Sequence, residues 1–126
     1  MNDWTDIDEA VRVFFETLLW SETDGSTPEG GDPLDENYTL DDVAAKSVAG
    51  VRADLEAFLE QARTILEAEP ERGHWPHDFC LTCNRHGAGF WDGDYERGDE
   101  LTALCREFGE YNAYVGDGGR VYVLGM

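Results

Sequence analysis

The chain has 126 residues, of which 41% are hydrophobic and 12% aromatic, and 28 acidic residues against nine basic ones give it a net charge of −19. This length and composition fit one globular domain, expected to span residues 1–126, and exclude an intrinsically disordered chain. So acidic a surface repels phosphates and anionic lipids, whereas it attracts basic proteins. We therefore expect no direct binding to nucleic acid or to a membrane surface.

We expect neither a membrane-spanning segment nor a secretion signal. The sequence has no run of about 18 apolar residues, and its N-terminus is not the basic, apolar segment of a signal peptide. Its three cysteines are an odd number without the spacing of a disulfide framework. We expect an intracellular, cytoplasmic protein with reduced thiols.

Three interpretations of the charge remain open. It can be a solvated surface that keeps a small protein soluble, or an adaptation to high salt, in which a surface with a single lysine, Lys46, stays hydrated. It can also be nucleic-acid mimicry, in which carboxylates take the place of phosphates. All three predict stability that depends on salt.

The first helix is predicted over residues 5–20. Thr5 followed by Asp8 resembles a capping box, and apolar residues then recur at helical spacing. These are Ile7, Val11, Phe14, Phe15, Leu18 and Leu19. Residues 21–38 contain three glycines and two prolines with few apolar side chains, which predicts an acidic loop.

A short helical turn and then the longest helix follow the acidic loop. Thr39 with Asp42 predicts a second cap and a turn that continues to about Ala45. The long helix is predicted over residues 47–68, where Pro70 and Gly73 end it. Its apolar face is formed by Val51, Leu55, Phe58, Leu59, Ala62, Ile65 and Leu66.

From residue 77 the apolar period changes from helical to alternating. Phe79 and Leu81 alternate with residues 78, 80 and 82, which predicts a strand, and residues 84–87 and 88–91 predict a turn and a returning strand.

The next predicted element is a helix over residues 98–108, capped by Gly109. Two predicted strands follow, at 111–115 and 120–124. The predicted fold is α+β, in the order ααββαββ: N-terminal helices packed on an antiparallel sheet of about four strands, with 77–126 forming ββαββ.

The cysteines and histidines of the predicted first hairpin form a candidate metal site. His77, Cys80, Cys83 and His86 lie close together, with His74 nearby, and Cys80-Leu-Thr-Cys83 has the spacing of zinc ligands. Against zinc, residues three apart on a strand point to opposite faces. Ordinary strand cysteines are therefore preferred and no cofactor is expected, with zinc as the alternative.

A catalytic thiol is a further alternative at the same segment. In this alternative Cys80 or Cys83 is the nucleophile and His77 or His86 the base. Asp78 or Asp92 would orient the histidine. Nothing in the sequence predicts a strained nucleophile turn, so we expect no enzymatic activity.

The acidic residues are concentrated near the N-terminus, where residues 1–45 hold thirteen Asp or Glu and one base, Arg12. Trp91 and Tyr38 are candidate aromatic anchors of a protein interface, although Phe90 and Trp91 can equally be core and cover residues of a hairpin. The candidate partner-binding carboxylates are Asp24, Glu29, Asp32, Asp35, Glu36, Asp41 and Asp42.

Several blocks resemble a group of small, uncharacterised proteins encoded by bacteriophages and prophages. The most specific is His86-Gly-Ala-Gly-Phe-Trp-Asp92. The others are Leu19–Asp24, Pro33–Tyr38, His77-Asp-Phe79, Leu81-Thr82, Gly98–Thr102, Tyr114–Asp117 and Val121-Tyr122. In that group tryptophan and arginine more usually occupy the positions of Cys80 and Cys83. The resemblance implies a phage accessory protein and no reaction.

The function expected from these observations is binding to a basic, nucleic-acid-handling host protein, such as a defence nuclease, and blocking it. The alternatives are a small zinc-binding module or hydrolase and an acidic, salt-tolerant structural protein. The zinc alternative predicts stoichiometric metal in protein purified without chelator, whereas the structural alternative predicts unfolding at low salt and no partner.

Overall fold

A computed structural model describes residues 4–22, 33–69, 72–84, 89–90 and 95–124. In these residues the chain forms four helices and one two-stranded antiparallel sheet. The helices are α1 (Ile7–Ser21), α2 (Ala45–Glu67), α3 (Trp75–Cys83) and α4 (Gly98–Cys105), and the strands are β1 (Asn112–Val115) and β2 (Val121–Leu124). The α+β class is confirmed, but the prediction of about four strands is wrong for the described part of the chain.

Helix α1 begins at Ile7, two residues later than predicted. The N-cap is Asp6 rather than Thr5, because the Asp6 carboxylate accepts from the backbone N–H groups of Asp8 and Glu9 at 2.9 and 3.4 Å. The predicted apolar stripe is buried from Val11 onward, and α1 packs against α3 and α2.

Between α1 and α2 the chain makes two 3₁₀ turns, Leu34–Glu36 and Leu40–Asp42. The capping box at the second turn is present as predicted, since Thr39 N–H donates to Asp42 Oδ2 at 2.8 Å. Helix α2 starts two residues earlier than predicted and is the longest element.

Helix α3 replaces the first strand of the predicted hairpin, so the ββαββ arrangement for residues 77–126 is wrong. The strand prediction treated the cysteines as polar, although a free cysteine packs as a small apolar residue. Once they count as apolar, Trp75, Phe79, Cys80 and Cys83 are spaced as on one helical face, and all four are buried.

The returning strand predicted over 88–91 is also not formed where the chain is described. Residues 89–90 are a bend and a turn, whereas 85–88 and 91–94 lie outside the described residues. Gly89 has φ 148° and lies so close to α3 that a Cβ there would meet Thr82 Oγ1 at 2.3 Å. Thr82 Oγ1 accepts from Phe90 N–H at 3.0 Å, which fixes the segment on α3.

Helix α4 ends at Cys105 with Arg106 as its C-cap, so the prediction of a helix that continues to residue 108 and is capped by Gly109 is wrong. Gly109 has φ 75° and follows a three-residue turn after the helix.

The C-terminal hairpin forms close to the predicted positions. Asn112 pairs with Leu124 and Val115 with Val121, and β2 also forms a parallel bridge to Val43.

One hydrophobic core joins the helices and the hairpin, and aromatic rings dominate its centre. Phe58 of α2 lies 4.6 Å from Phe79, 5.7 Å from Trp75 and 5.8 Å from Phe90, measured between ring centroids. Such ring pairs add stabilisation beyond the burial of their area. Phe90 is therefore a core residue, whereas Trp91 lies outside the described residues.

Candidate interaction surface

The predicted partner-binding carboxylates fall into two groups. Asp24, Glu29 and Asp32 lie outside the described residues. Asp35 and Glu36 are exposed on the first 3₁₀ turn, whose Leu34 side chain is buried in the core. The buried leucine therefore fixes the turn so that both carboxylates face solvent.

The second 3₁₀ turn contributes one exposed carboxylate and one that has a structural role. Asp41 is exposed. Asp42 is half-buried and its Oδ2 accepts from the backbone N–H of Thr39, so this carboxylate caps the turn. The candidate set therefore contains three exposed carboxylates among its described members.

Helix α1 adds further acidic side chains beside these turns, because it packs against both of them. Asp8, Arg12, Glu16 and Trp20 are exposed and follow one another at intervals of four residues. Side chains at this spacing form one ridge along a helix. We call Asp8, Glu16, Asp35, Glu36 and Asp41 the acidic surface.

Two arginines neutralise part of this charge. Arg12 forms ion pairs with both Glu9 and Glu16, and its guanidinium lowers the pKa of the Glu9 carboxyl through a hydrogen bond. Arg52 of α2 reaches Asp8 with an N–O distance of 2.6 Å. Because all of these groups are largely exposed, such pairs contribute little to stability.

Trp20 is a candidate anchor that the sequence alone did not single out. Its side chain is 57% exposed, although tryptophan is usually well buried on average. The sequence signal was its position on α1, four residues after the exposed Glu16 and outside the apolar stripe. An exposed tryptophan beside charged groups has the composition of an interface hot spot.

Tyr38 is the other candidate anchor among the described residues. It is half-buried and packs against the hydrophobic core, so much of its ring already has an intramolecular partner. Trp20 therefore offers a partner a larger exposed apolar surface than Tyr38 does.

The candidate zinc ligands lie on helix α3 rather than on a strand. Cys80 and Cys83 are three residues apart and therefore share one helical face, which removes the geometric argument against their acting together. Both are buried, and His86 lies outside the described residues. Within the described ranges, no three His, Cys, Asp or Glu side chains are grouped closely enough to hold a metal ion.

His77 is hydrogen-bonded to α1. Its Nδ1 lies 2.9 Å from Thr17 Oγ1, and this hydroxyl donates to the Val13 carbonyl at 2.8 Å. Because the single hydroxyl proton is used there, Nδ1–H of His77 donates to Thr17. Tyr95 OH donates to Asp78 Oδ2 at 2.7 Å, so this proposed orienting carboxylate binds a tyrosine.

The thiols of Cys80 and Cys105 are buried and difficult to ionise. Burial raises the pKa of Cys80 well above its usual value, and the neighbouring Cys83 adds to this effect. The pKa of Cys105 is also raised, by its hydrogen bond with Cys83 and by burial. Since the thiolate is the nucleophile, a raised pKa leaves Cys80 and Cys105 unreactive at neutral pH.

No protein-family model matches this chain, and no curated protein or solved structure is significantly similar to it. Within the described part of the chain, none of the helices combines the length and the apolar character that a membrane-spanning segment needs.

Proposed function

We propose that this protein is an acidic phage accessory protein that acts by binding, without catalysis, in the cytoplasm of the host cell. Its partner is a basic, nucleic-acid-handling host protein, such as a defence nuclease, whose phosphate-binding groove it occupies. The observation that carries the proposal is the placement of exposed carboxylates on α1 and the two adjoining turns, next to the exposed Trp20. The sequence resemblance to phage-encoded proteins supports the proposed source.

Charge complementarity gives the proposed partner its chemistry. Residues 1–45 hold thirteen of the 28 acidic residues but one of the nine lysines and arginines. Duplex DNA carries one phosphate charge per about 1.7 Å of its helix axis when both strands are counted. A protein groove that binds DNA presents lysine and arginine side chains to these phosphates. Carboxylates arranged along a helix and its neighbouring turns offer such a groove a substitute for several phosphates.

Trp20 gives the proposed contact an apolar centre. Charged pairs at the rim of an interface mainly set the rate and specificity of association, whereas buried aromatic residues contribute most of the affinity. Trp20 lies on the same helical ridge as Glu16, so one docking event buries the indole and brings this carboxylate, which is paired with Arg12 in the free protein, against the basic partner. Tyr38 and Trp91 remain candidate secondary anchors.

The test is an affinity capture from nuclease-treated bacterial lysate, with the eluted proteins identified by mass spectrometry. Capture is compared at low and high salt and with duplex DNA as competitor. We expect a nucleic-acid-binding protein that high salt or DNA displaces, because both compete for the same charged groove.

The decisive variant replaces Glu16→Gln, Asp35→Asn, Glu36→Gln and Asp41→Asn. Its matched control changes four exposed carboxylates on other elements by the same total charge: Glu60→Gln, Glu96→Gln, Asp99→Asn and Glu107→Gln. We expect the first variant to lose the partner and the control to keep it. Equal retention by both variants would show that the acidic surface is not the binding site.

A third variant, Trp20→Ala, separates the anchor from the charges. Because Trp20 is exposed, its removal leaves the core unchanged, and we expect weaker capture with an unchanged salt dependence. If capture by Trp20→Ala equals that of the unaltered protein, the tryptophan takes no part in the interface.

A further inference from the structure

The C-terminal hairpin leaves one edge of its sheet open. Strand β2 lies between β1 and the parallel bridge at Val43, so β1 is the outer strand. Gly116 N–H donates to the Arg120 carbonyl at 2.8 Å, and the hydrogen-bonded pairs alternate along the ladder from there. Within the described residues, the N–H and C=O groups of Ala113 and Val115 therefore point away from β2 and have no backbone partner.

Asn84 already occupies the adjoining position on the same edge. Its side-chain amide donates to the Tyr111 carbonyl at 3.0 Å and accepts from the Tyr111 N–H at 2.7 Å. A neighbouring antiparallel strand would make the same reciprocal pair. The free edge of β1 is therefore short, because Asn84 closes it at Tyr111 and the glycine-rich turn begins at Gly116.

An exposed aromatic pair lies on the solvent face of the same strands. Tyr114 of β1 is 50% exposed, and only Trp20 is a more exposed large hydrophobic residue in the described part of the chain. The Tyr114 ring stacks on Tyr122 of β2, with ring centroids 5.7 Å apart and planes inclined by 19°. A further strand beside β1 would cover the free side of Tyr114 and extend this aromatic ladder.

The hairpin is locally neutral in an otherwise acidic chain. Residues 111–124 contain one acid, Asp117, and one base, Arg120, and residues 112–115 contain neither. Charge therefore does not direct a basic partner to this edge, in contrast to the acidic surface. The four residues of β1 also include no lysine or proline of the kind that protects an exposed edge strand from pairing.

We propose that β1 pairs antiparallel with β1 of a second copy of this chain, about a two-fold axis at Tyr114. Ala113 of each copy then pairs with Val115 of the other, and since each pair exchanges two hydrogen bonds the contact has about four. Tyr114 faces Tyr114 of the second copy in a pair without backbone hydrogen bonds, in which the Cα atoms are about 4.5 Å apart. The two hairpins form one four-stranded sheet with tyrosines across one face.

Other two-fold registers make fewer hydrogen bonds. An axis at Ala113 would bring the second strand against the Asn84 side chain at Tyr111. An axis at Val115 would bring it against the turn Asp117–Gly119. Each of these registers keeps one hydrogen-bonded pair where the axis at Tyr114 has two. The shape of the free edge therefore selects Tyr114 as the position that meets itself.

The contact is expected to be weak and to strengthen with added salt. Two four-residue strands form an interface of the small, transient class, below about 1,200 Å². Two chains of charge −19 repel each other, and salt screens this repulsion. Binding of a basic partner to the acidic surface weakens with salt instead. The sign of the salt dependence therefore separates the two contacts, and the pairing of β1 does not rest on the proposed function.

The first test is sedimentation equilibrium of the full chain up to about 1 mM, a concentration that detects weak association. It compares about 0.1 and 1 M sodium chloride, where the Debye length is about 10 and 3 Å. We expect a monomer–dimer equilibrium that is tighter at the higher salt concentration. Amide hydrogen exchange of the same samples, measured by NMR, should show Ala113 and Val115 protected increasingly as the protein concentration rises. The Tyr114 amide is the internal control, because it is bonded to β2 in the monomer.

Charges placed at position 114 test the two-fold axis. In Tyr114→Glu and in Tyr114→Lys the new charge faces its own copy, so each variant alone should associate about tenfold more weakly or less. An equimolar mixture of the two variants should associate, because opposite charges then face each other. Gln61→Glu and Gln61→Lys place the same charges at an exposed position of α2 and should associate as the unaltered protein does. The dispersion of each NMR spectrum shows that the variants are folded.

Three results would overturn the pairing of β1. The chain stays monomeric at both salt concentrations, or Ala113 and Val115 exchange at the same rate at every concentration. In the third, the mixture of the two Tyr114 variants stays monomeric although the unaltered protein associates. If both Tyr114 variants lose the protein captured from lysate and the unaltered chain does not self-associate, the edge belongs to that other protein instead of a second copy.

Discussion

The buried thiols predict a loss of stability in mild alkali. Cys80 and Cys105 have pKa values raised in the folded protein, chiefly by burial for Cys80 and by the contact with Cys83 for Cys105. In the unfolded chain a cysteine has a pKa of about 8.5. Because the folded pKa is the higher one, the stabilisation is fully present below about pH 8.5 and is lost as the pH rises above it.

The magnitude follows from proton linkage. Between about pH 7.5 and pH 9.5 each such thiol lowers the free energy of unfolding by about 1.4 kcal/mol, because the unfolded state releases a proton that the folded state retains. The two together give a loss of about 2.7 kcal/mol. This value depends on the unfolded pKa alone, provided that the folded pKa stays above the pH used.

The assay is urea unfolding across this pH range, followed by circular dichroism, with a reductant and fixed high salt. Cys80→Ala and Cys105→Ala each lower the overall stability by creating a cavity, but each should also reduce the pH-dependent loss by about 1.4 kcal/mol. The comparison therefore uses the pH dependence, not the absolute stability. An unchanged pH dependence in both variants would refute the inference that these thiols stay protonated in the core.

Three further outcomes are expected. Glu69→Gln should lower the free energy of unfolding in urea by about 1.5–3 kcal/mol, because the buried Glu69 carboxylate accepts hydrogen bonds from the backbone N–H groups of residues 96 and 97. The control Glu67→Gln changes an exposed carboxylate and should alter stability little. Gly89→Ala should lower the free energy of unfolding by about 2–4 kcal/mol, because Gly89 has a positive φ and a Cβ there would collide with Thr82. The control Gly73→Ala should be nearly neutral, and equal melting temperatures of the two variants would contradict the prediction. Added salt should raise the melting temperature, since it screens the charge of −19; complete unfolding at low salt would favour the structural alternative.

Local patterns were sufficient to predict the elements with a clear polar face. Helix α1 carries an apolar stripe on one side and charged residues on the other, and α2 repeats this over about six turns. The C-terminal hairpin was predictable because its glycine-rich turn lies between two alternating segments. Each of these signals is contained in a short stretch of chain.

Helix α3 lacked such a signal. Trp75, Pro76 and all residues from Phe79 to Cys83 are buried, so this short helix has almost no polar face from which a helical period could be read. Its conformation is decided by the elements that surround it. The same is true of the candidate site, because the first 3₁₀ turn lies beside α1 with its Leu34 side chain buried in the core.

The sequence by itself determined the net charge, its concentration in residues 1–45, the two amphipathic helices and the α+β class. Only the tertiary structure decided which carboxylates of the described residues are exposed, which cap a backbone segment as Asp42 and Glu69 do, and which line a pocket as Asp54 does. The physical reason is that composition and periodicity are local properties of the chain. The burial and hydrogen-bond partners of a carboxylate are set by segments far away in sequence, which meet only when the core is packed.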